Sequence, residues 1–342
     1  MRDVIIGVDG GGTYTRLAAV DGQGHILGRS MCGSINYNNL PVEECRNNLL
    51  AGLDGLLSGC GLKHYDHLAI GMSALSGPAT AAELHFFAGN TLPQEKLLLD
   101  SDVFMALMGA TLGKPGIMVI SGTGTMSVGW DAQGQVHLSG GWGYLLGDEG
   151  SSYYIAYRAL LSAIHAYEGW GEETDLTKEL LCYFGVENMR ALIDRLYNPL
   201  IPVSELAGVS QSVISCARQG DAQARKIIDD TVSILKENTA YLIRKLGRDT
   251  DRVSIYGGLF EYNPDIVAMY TEALHAQYPL MKVGFPEFKP EIGAAIHYFI
   301  TAGRWNDAIL HELRRTKDAA ESVYTGKPKS LITEGGLTYG GV

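Results

Sequence analysis

The chain has 342 residues and a mass of 36.9 kDa, more than one hydrophobic core commonly fills, so two domains or one large α/β domain are expected. At 46% hydrophobic and 19% charged residues, the composition is that of a folded globular protein and excludes the disordered and fibrous classes. A formal charge of −11, from 27 basic and 38 acidic residues, excludes a broad electrostatic grip on nucleic acid or on an anionic membrane, so any anionic substrate must be held locally.

The first apolar run, Val4-Ile5-Ile6-Gly7-Val8, meets Asp9 too soon to be a secretory signal, and no stretch of 18 apolar residues follows to span a membrane. The cysteines, Cys32, Cys45, Cys60, Cys182 and Cys216, are odd in number and include no C-x-x-C pair. Neither a disulfide framework nor a structural zinc site is expected, and a reducing cytoplasm fits.

Internal repetition organises the chain. Residues 5–13 read IIGVDGGGT and residues 117–125 read IMVISGTGT, each an apolar strand that delivers a glycine-rich turn ending in threonine. Each is followed by a second extended segment and a matching turn, Asp21-Gly22-Gln23-Gly24 in one case and Asp131-Ala132-Gln133-Gly134 in the other. Alternation and turn chemistry predict a hairpin plus a third strand twice over, the third strands at 25–30 and 135–139.

Further strands are expected at 68–72, 97–99 and 253–256, interleaved with helical periodicity as in α/β sheets. Pro78 is expected to begin the helix that follows it. A long helix is predicted from its Asp221 cap to Gly247, with Ile228, Val232, Leu235, Leu242 and Leu246 as its core stripe. Gly113-Lys114-Pro115-Gly116 marks the domain boundary, giving a first domain at 1–115, a second at 116–315 and a weakly periodic tail at 316–342.

The glycine turns suggest phosphate chemistry. In Asp9-Gly10-Gly11-Gly12-Thr13 three residues without side chains let the backbone approach a ligand, successive N–H groups can form an anion nest, and Thr13 adds a hydroxyl. Asp9, at the strand end, is placed to hold Mg²⁺ through water. Ser121-Gly122-Thr123-Gly124-Thr125 offers the same backbone equipment. Neither a Walker loop nor a dinucleotide fingerprint has its required spacing here. Asp100 and Asp102 follow an apolar strand, on one side of it if the chain stays extended, and either carboxylate could orient a nucleophile.

These residues resemble the actin/hexokinase/Hsp70 ATPase superfamily: the D-x-G-x-T and S-G-T-G-T turns, the Gly257-Gly258 pair after a strand, and Pro290-Glu291-Ile292-Gly293-Ala294-Ala295. More closely, Gly140-Gly141-Trp142-Gly143-Tyr144-Leu145-Leu146-Gly147-Asp148-Glu149-Gly150-Ser151 resembles the block G-G-W-G-x-x-x-G-D-E-G-S of N-acetylglucosamine kinase-like members of the BadF/BadG/BcrA/BcrD ATPase family. The resemblance implies an α/β fold of duplicated ribonuclease H-like, actin/hexokinase-type domains with a central cleft. It implies an ATP-dependent, Mg²⁺-requiring kinase acting on the C6 hydroxyl of N-acetylglucosamine or a close relative, N-acetylmuramic acid or glucosamine.

On the same ground Asp102 is the general base. Asp9, Gly11, Gly12, Thr13, Gly122, Thr123, Gly124, Gly257 and Gly258 bind the nucleotide, and Asn36, Ser76, Gly77 and Asp148 contact the sugar. Trp142 could stack on a sugar face or serve as a packing plug. The partners implied are the amino sugar, ATP and a second copy in a homodimer, with no nucleic acid or membrane. Two other readings stay open at this stage: an activator ATPase of 2-hydroxyacyl-CoA dehydratase or benzoyl-CoA reductase systems, for which the cysteine pattern is wrong, and a non-catalytic amino-sugar sensor.

Overall fold

The computed structural model describes residues 3–247, 252–318 and 324–325. They form two units, one from 3–114 with 286–318 and 324–325, the other from 115–247 and 252–285.

The first unit is built on strands β1 (Val4–Gly10), β2 (Tyr14–Asp21), β3 (Ile26–Gly33), β4 (His67–Met72) and β5 (Leu97–Ser101). The second holds β6 (Gly116–Ser121), β7 (Thr125–Trp130), β8 (Val136–Gly140), β9 (Arg252–Tyr256) and β10 (Lys282–Gly284). The two-residue strand β11 (Tyr324–Thr325) adds to β3. The sheet orders are β11-β3-β2-β1-β4-β5 and β10-β9-β6-β7-β8. In both sheets the first three strands are an antiparallel meander, the fourth joins parallel to the first (β4 to β1, β9 to β6) and the fifth parallel to the fourth (β5 to β4, β10 to β9). One topology is therefore used twice, as the duplicated motifs predict.

The duplication reaches single hydrogen bonds. Asp21 Oδ1 accepts the N–H groups of Gln23 and His25, and Asp131 Oδ1 accepts those of Gln133 and Gln135. Gly24 and Gly134 carry φ of 95° and 80°, a left-handed turn position that glycine occupies without a steric cost. The second carboxylate oxygen of each Asp meets a histidine, His25 at 2.9 Å and His137 at 2.7 Å.

The second unit is the more helical. Its helix Ala222–Leu246 begins where Asp221 accepts the Ala224 N–H at 2.7 Å and ends at Gly247 with φ of 64°. Ile228, Val232, Leu235 and Leu242 of the expected stripe are buried in the core, with Leu246 packed at its margin. Pro78 does not begin a helix, because Thr80 with Glu83 forms a capping box that starts it at Ala81.

The first unit breaks after Lys114, and the second unit ends at 285 rather than at 315. The chain re-enters the first unit at 286, and the helix Pro290–Thr301 packs between β1 and the helix Asp102–Thr111. Small residues make this possible. A Cβ on Gly7 would lie 1.9 Å from the Glu291 carbonyl oxygen, and one on Gly293 would lie 1.9 Å from that of Met105. Of the expected tail, 316–318 and β11 are described and the rest lies outside the described residues.

Candidate functional site

In the first unit, β1 delivers Asp9 and the turn that follows. Asp9, Gly71 and Asp100 are register partners across β1, β4 and β5, and Gly71 supplies no side chain between the two carboxylates. Asp9 is buried, with Arg16 Nη1 3.3 Å from its Oδ2. Burial and the neighbouring charges of Glu291 and Asp102 outweigh Arg16 and push the Asp9 carboxyl up to about 7. Gly12 and Thr13 at the tip of the turn are exposed, and a Cβ on Gly12 would meet only the Asn39 amide at 3.9 Å. The backbone is thus open to a phosphate.

These residues fit Mg²⁺. A carboxylate whose charge is opposed by burial and by like charges is relieved by a divalent cation, and the Asp9 carboxylate is the kind of hard oxygen donor this ion takes.

Asp102 is the first residue of the helix Asp102–Thr111. The strand stops at Ser101, whose Oγ caps the helix by accepting the Phe104 N–H at 3.2 Å. The two aspartates therefore do not share one side of an extended segment. Asp100 is buried in the sheet and Asp102 stands at the helix N-terminus, its Oδ1 accepting the Val103 N–H at 2.8 Å. Burial raises the Asp102 carboxyl above its ordinary value, against the backbone N–H groups of Val103 and Asp102.

Asn36 is also buried. Its Nδ2 donates to Ser73 Oγ at 3.0 Å, and the Ser73 N–H donates to the Gly10 carbonyl at 3.0 Å. Two serines thus join Asn36 to the turn after β1: Ser73, three residues before the expected Ser76-Gly77, and Ser34, whose Oγ accepts the Asn36 N–H at 3.1 Å and donates to the Gly11 carbonyl at 3.0 Å. Ser76 is exposed, and a Cβ on Gly77 would meet open space. The signal for Ser73 was its place directly after β4, level with the turn after β1.

In the second unit the turn after β6 rests on the N-terminus of the helix Ser152–Glu168. Gly122 and Thr123 carbonyls accept the N–H groups of Ser152 and Tyr153, and Ser121 Oγ donates to the Gly150 carbonyl at 2.7 Å. Gly257 and Gly258 join the same turn. Gly257 has φ of 101° and a Cβ there would lie 2.5 Å from the Ser121 carbonyl oxygen, while Gly258 N lies 4.0 Å from the Cβ position of Gly122. The structure therefore brings together Gly122, Thr123, Gly124, Gly257 and Gly258.

Asp148 belongs to this cluster too. Its backbone is left-handed at φ 56°, its Oδ1 accepts the Thr125 N–H at 3.3 Å, and a Cβ on Gly124 would lie 2.8 Å from its Oδ2. Burial raises its carboxyl. Trp142 is 72% exposed, which rules out the packing plug and leaves its ring available to a ligand. A groove of about 380 Å³ beside it, lined by Met126, Leu138 and Tyr241, contains no charged or phosphate-turn residue and is distinct from the turn cluster.

The sequence profile described as the BadF/BadG/BcrA/BcrD ATPase family matches residues 6–297. The chain is 26% identical over 298 residues to the N-acetylmuramic acid/N-acetylglucosamine kinase of Clostridium acetobutylicum, covering 85% of this chain and 97% of that protein. It is 27% identical over 310 residues to the N-acetyl-D-glucosamine kinase of Dictyostelium discoideum, covering 86% and 97%. A solved structure from Chromobacterium violaceum, assigned as an N-acetylglucosamine kinase, superposes with a TM-score of 0.68 at 23% identity, covering 85% of this chain and 97% of that one.

Proposed function

The chain belongs to the BadF/BadG/BcrA/BcrD ATPase family, and from that footing we propose that it is an ATP-dependent amino-sugar kinase. It transfers the γ-phosphoryl group to the C6 hydroxyl of N-acetylglucosamine or of a close relative, N-acetylmuramic acid or glucosamine, leaving ADP. The observation that carries this reading is the conjunction, on one duplicated topology, of two glycine turns, the first of them open at Gly12, with a raised carboxylate, Asp102, at a helix start. The curated relatives quoted above are named as kinases of such sugars, which leaves the activator reading without support.

Phosphoryl transfer asks the protein for alignment, charge stabilisation and a group that orients the nucleophile. Asp102 accepts the proton of the attacking sugar hydroxyl, and its raised pKa makes it a better acceptor than an ordinary surface carboxylate. Asp9 would hold Mg²⁺ through water, and the ion when bound would neutralise charge on the phosphates. The turn at Gly11, Gly12 and Thr13, whose Gly12 and Thr13 are exposed, and the turn at Gly122, Thr123 and Gly124 border the phosphates, and Gly257-Gly258 borders the adenosine. Asn36 and Asp148 receive sugar hydroxyls, with Ser76, Gly77 and Trp142 bordering the sugar.

Among the described residues no helix is long and apolar enough to cross a membrane. We place the enzyme in the cytoplasm as a homodimer, with no nucleic-acid partner. The test is ADP release with Mg·ATP against N-acetylglucosamine, N-acetylmuramic acid, glucosamine, N-acetylmannosamine and glucose. Turnover on an amino sugar is expected, and Asp102→Ala should lower kcat by about 100- to 10,000-fold with ATP binding retained. Silence on every sugar, or a near-wild-type kcat in the variant, overturns the class or the base.

A further inference from the structure

A buried carboxylate that the mechanism does not use stands directly behind the base. Asp100 is 3% exposed. Its Oδ1 accepts the Ser101 N–H at 2.6 Å, and its Oδ2 lies 3.9 Å from Nε2 of His297 on the helix Pro290–Thr301. The His297 ring meets the ring of Phe104 edge to face, with centroids 5.1 Å apart. Phe104 is in turn tied back, through its N–H, to Ser101 Oγ. Asp100, Ser101, Phe104 and His297 therefore close a ring of contacts around the corner where β5 becomes a helix, and Asp102 is the residue inside that corner.

Apolar packing would fill this space without the cost of burying a carboxylate and an imidazole. A polar ring makes sense where one peptide must be held in one orientation. We propose that Asp100 is a positioning residue for the reaction, with His297 as its backing. By fixing the Ser101 peptide it fixes the direction in which the Asp102 carboxylate leaves the helix start. The inference rests on the kinase reading and on Asp102 as the base.

Positioning predicts a split between kcat and KM that a merely structural role would not give. With Mg·ATP and the amino sugar, Asp100→Ala should lower kcat by about 100-fold, the scale of a displacement near 1 Å, with both KM values changed less than about threefold. Asp100→Asn keeps an oxygen for the Ser101 N–H and should keep kcat within about threefold of wild type. If Asp100→Ala does not fold, His297→Leu opens the same ring from the other side and should lower kcat about 10-fold at unchanged KM. A wild-type kcat in Asp100→Ala, an Asn variant as slow as the Ala variant, or parallel losses in kcat and KM overturn the proposal. Failure of the wild-type chain to turn over any amino sugar instead overturns the kinase reading, a result distinct from any behaviour of the Asp100 variants.

Discussion

His297 should make the first unit acid-labile over a defined window. Burial pushes its imidazole from 6.5 down to about 4, and its side chain is only 17% exposed, so solvent screens little of the effect. A shift of about 2.5 units at 1.36 kcal/mol each is about 3 kcal/mol. The sign follows from proton counting. Between pH 6.5 and 4 the unfolded chain binds a proton at this residue and the folded chain does not, so stability falls as pH falls through that range and is fully present above it. Asp100, raised by burial, works in the opposite sense, and it is present in both proteins when wild type is compared with His297→Gln. The difference between them thus isolates the imidazole. Trp305 is the one tryptophan of the first unit, so urea unfolding followed by ¹⁹F-labelled tryptophan reports that unit separately. At pH 7.5 the variant should carry a fixed packing cost, and by pH 4 the gap should have moved by about 3 kcal/mol in the variant's favour. A gap that stays constant across the range refutes the reasoning.

Two further predictions concern the helix Pro290–Thr301. Gly293→Ala places a Cβ 1.9 Å from the Met105 carbonyl oxygen and 2.8 Å from Gly109 N, both backbone atoms that cannot turn aside; thermal melts should show a loss of at least about 3 kcal/mol, against the gain that Ala normally brings to a helix interior. Glu291 is fully buried beside Arg29 Nε at 3.5 Å and is one of the charges that raise Asp9, so Glu291→Gln should move the Asp9 carboxyl titration, followed by ¹³C NMR, downward while weakening the fold.

Much of the fold is legible in the sequence because its signals are local. An apolar run, a glycine turn and an Asp-x-x-Gly turn specify a hairpin through bonds within a few residues, and each was readable twice. The glycine turns after β1 and β6 and the Gly257-Gly258 pair were legible as short glycine runs directly after apolar strands, and at Gly257 the φ of 101° is one that glycine supplies. The return of residues 286–318 to the first unit was not legible, because it depends on surface matching between segments far apart in sequence, at Gly7 with Glu291 and at Gly109 with Gly293. Ser73 and the role of Asp100 were hidden for a related reason. Which hydroxyl faces Asn36, and where a strand stops and a helix starts, depend on register between strands and on a cap, one residue either way.

The duplication also separates the two halves chemically. Asp9 and Ser121 occupy corresponding places in IIGVDGGGT and IMVISGTGT, yet one is a carboxylate raised to about 7 and the other a hydroxyl donating to the Gly150 carbonyl. The first unit gathers Asp9, Asp100, Asp102 and Glu291 around one sheet end, and burial raises the carboxyls of Asp9, Asp100 and Asp102. Near the second turn Asp148 accepts the Thr125 N–H and Glu261 accepts the Gly257 N–H, while the Ser121 hydroxyl donates to the Gly150 carbonyl. The same hairpin therefore carries a buried, raised carboxylate at this place in one copy and a buried hydroxyl in the other. Substituting serine for Asp9 would make the first turn resemble the second, and its expected consequence is loss of metal-dependent turnover without loss of the hairpin, since the hairpin's own bonds at Asp21 and Gly24 do not involve it.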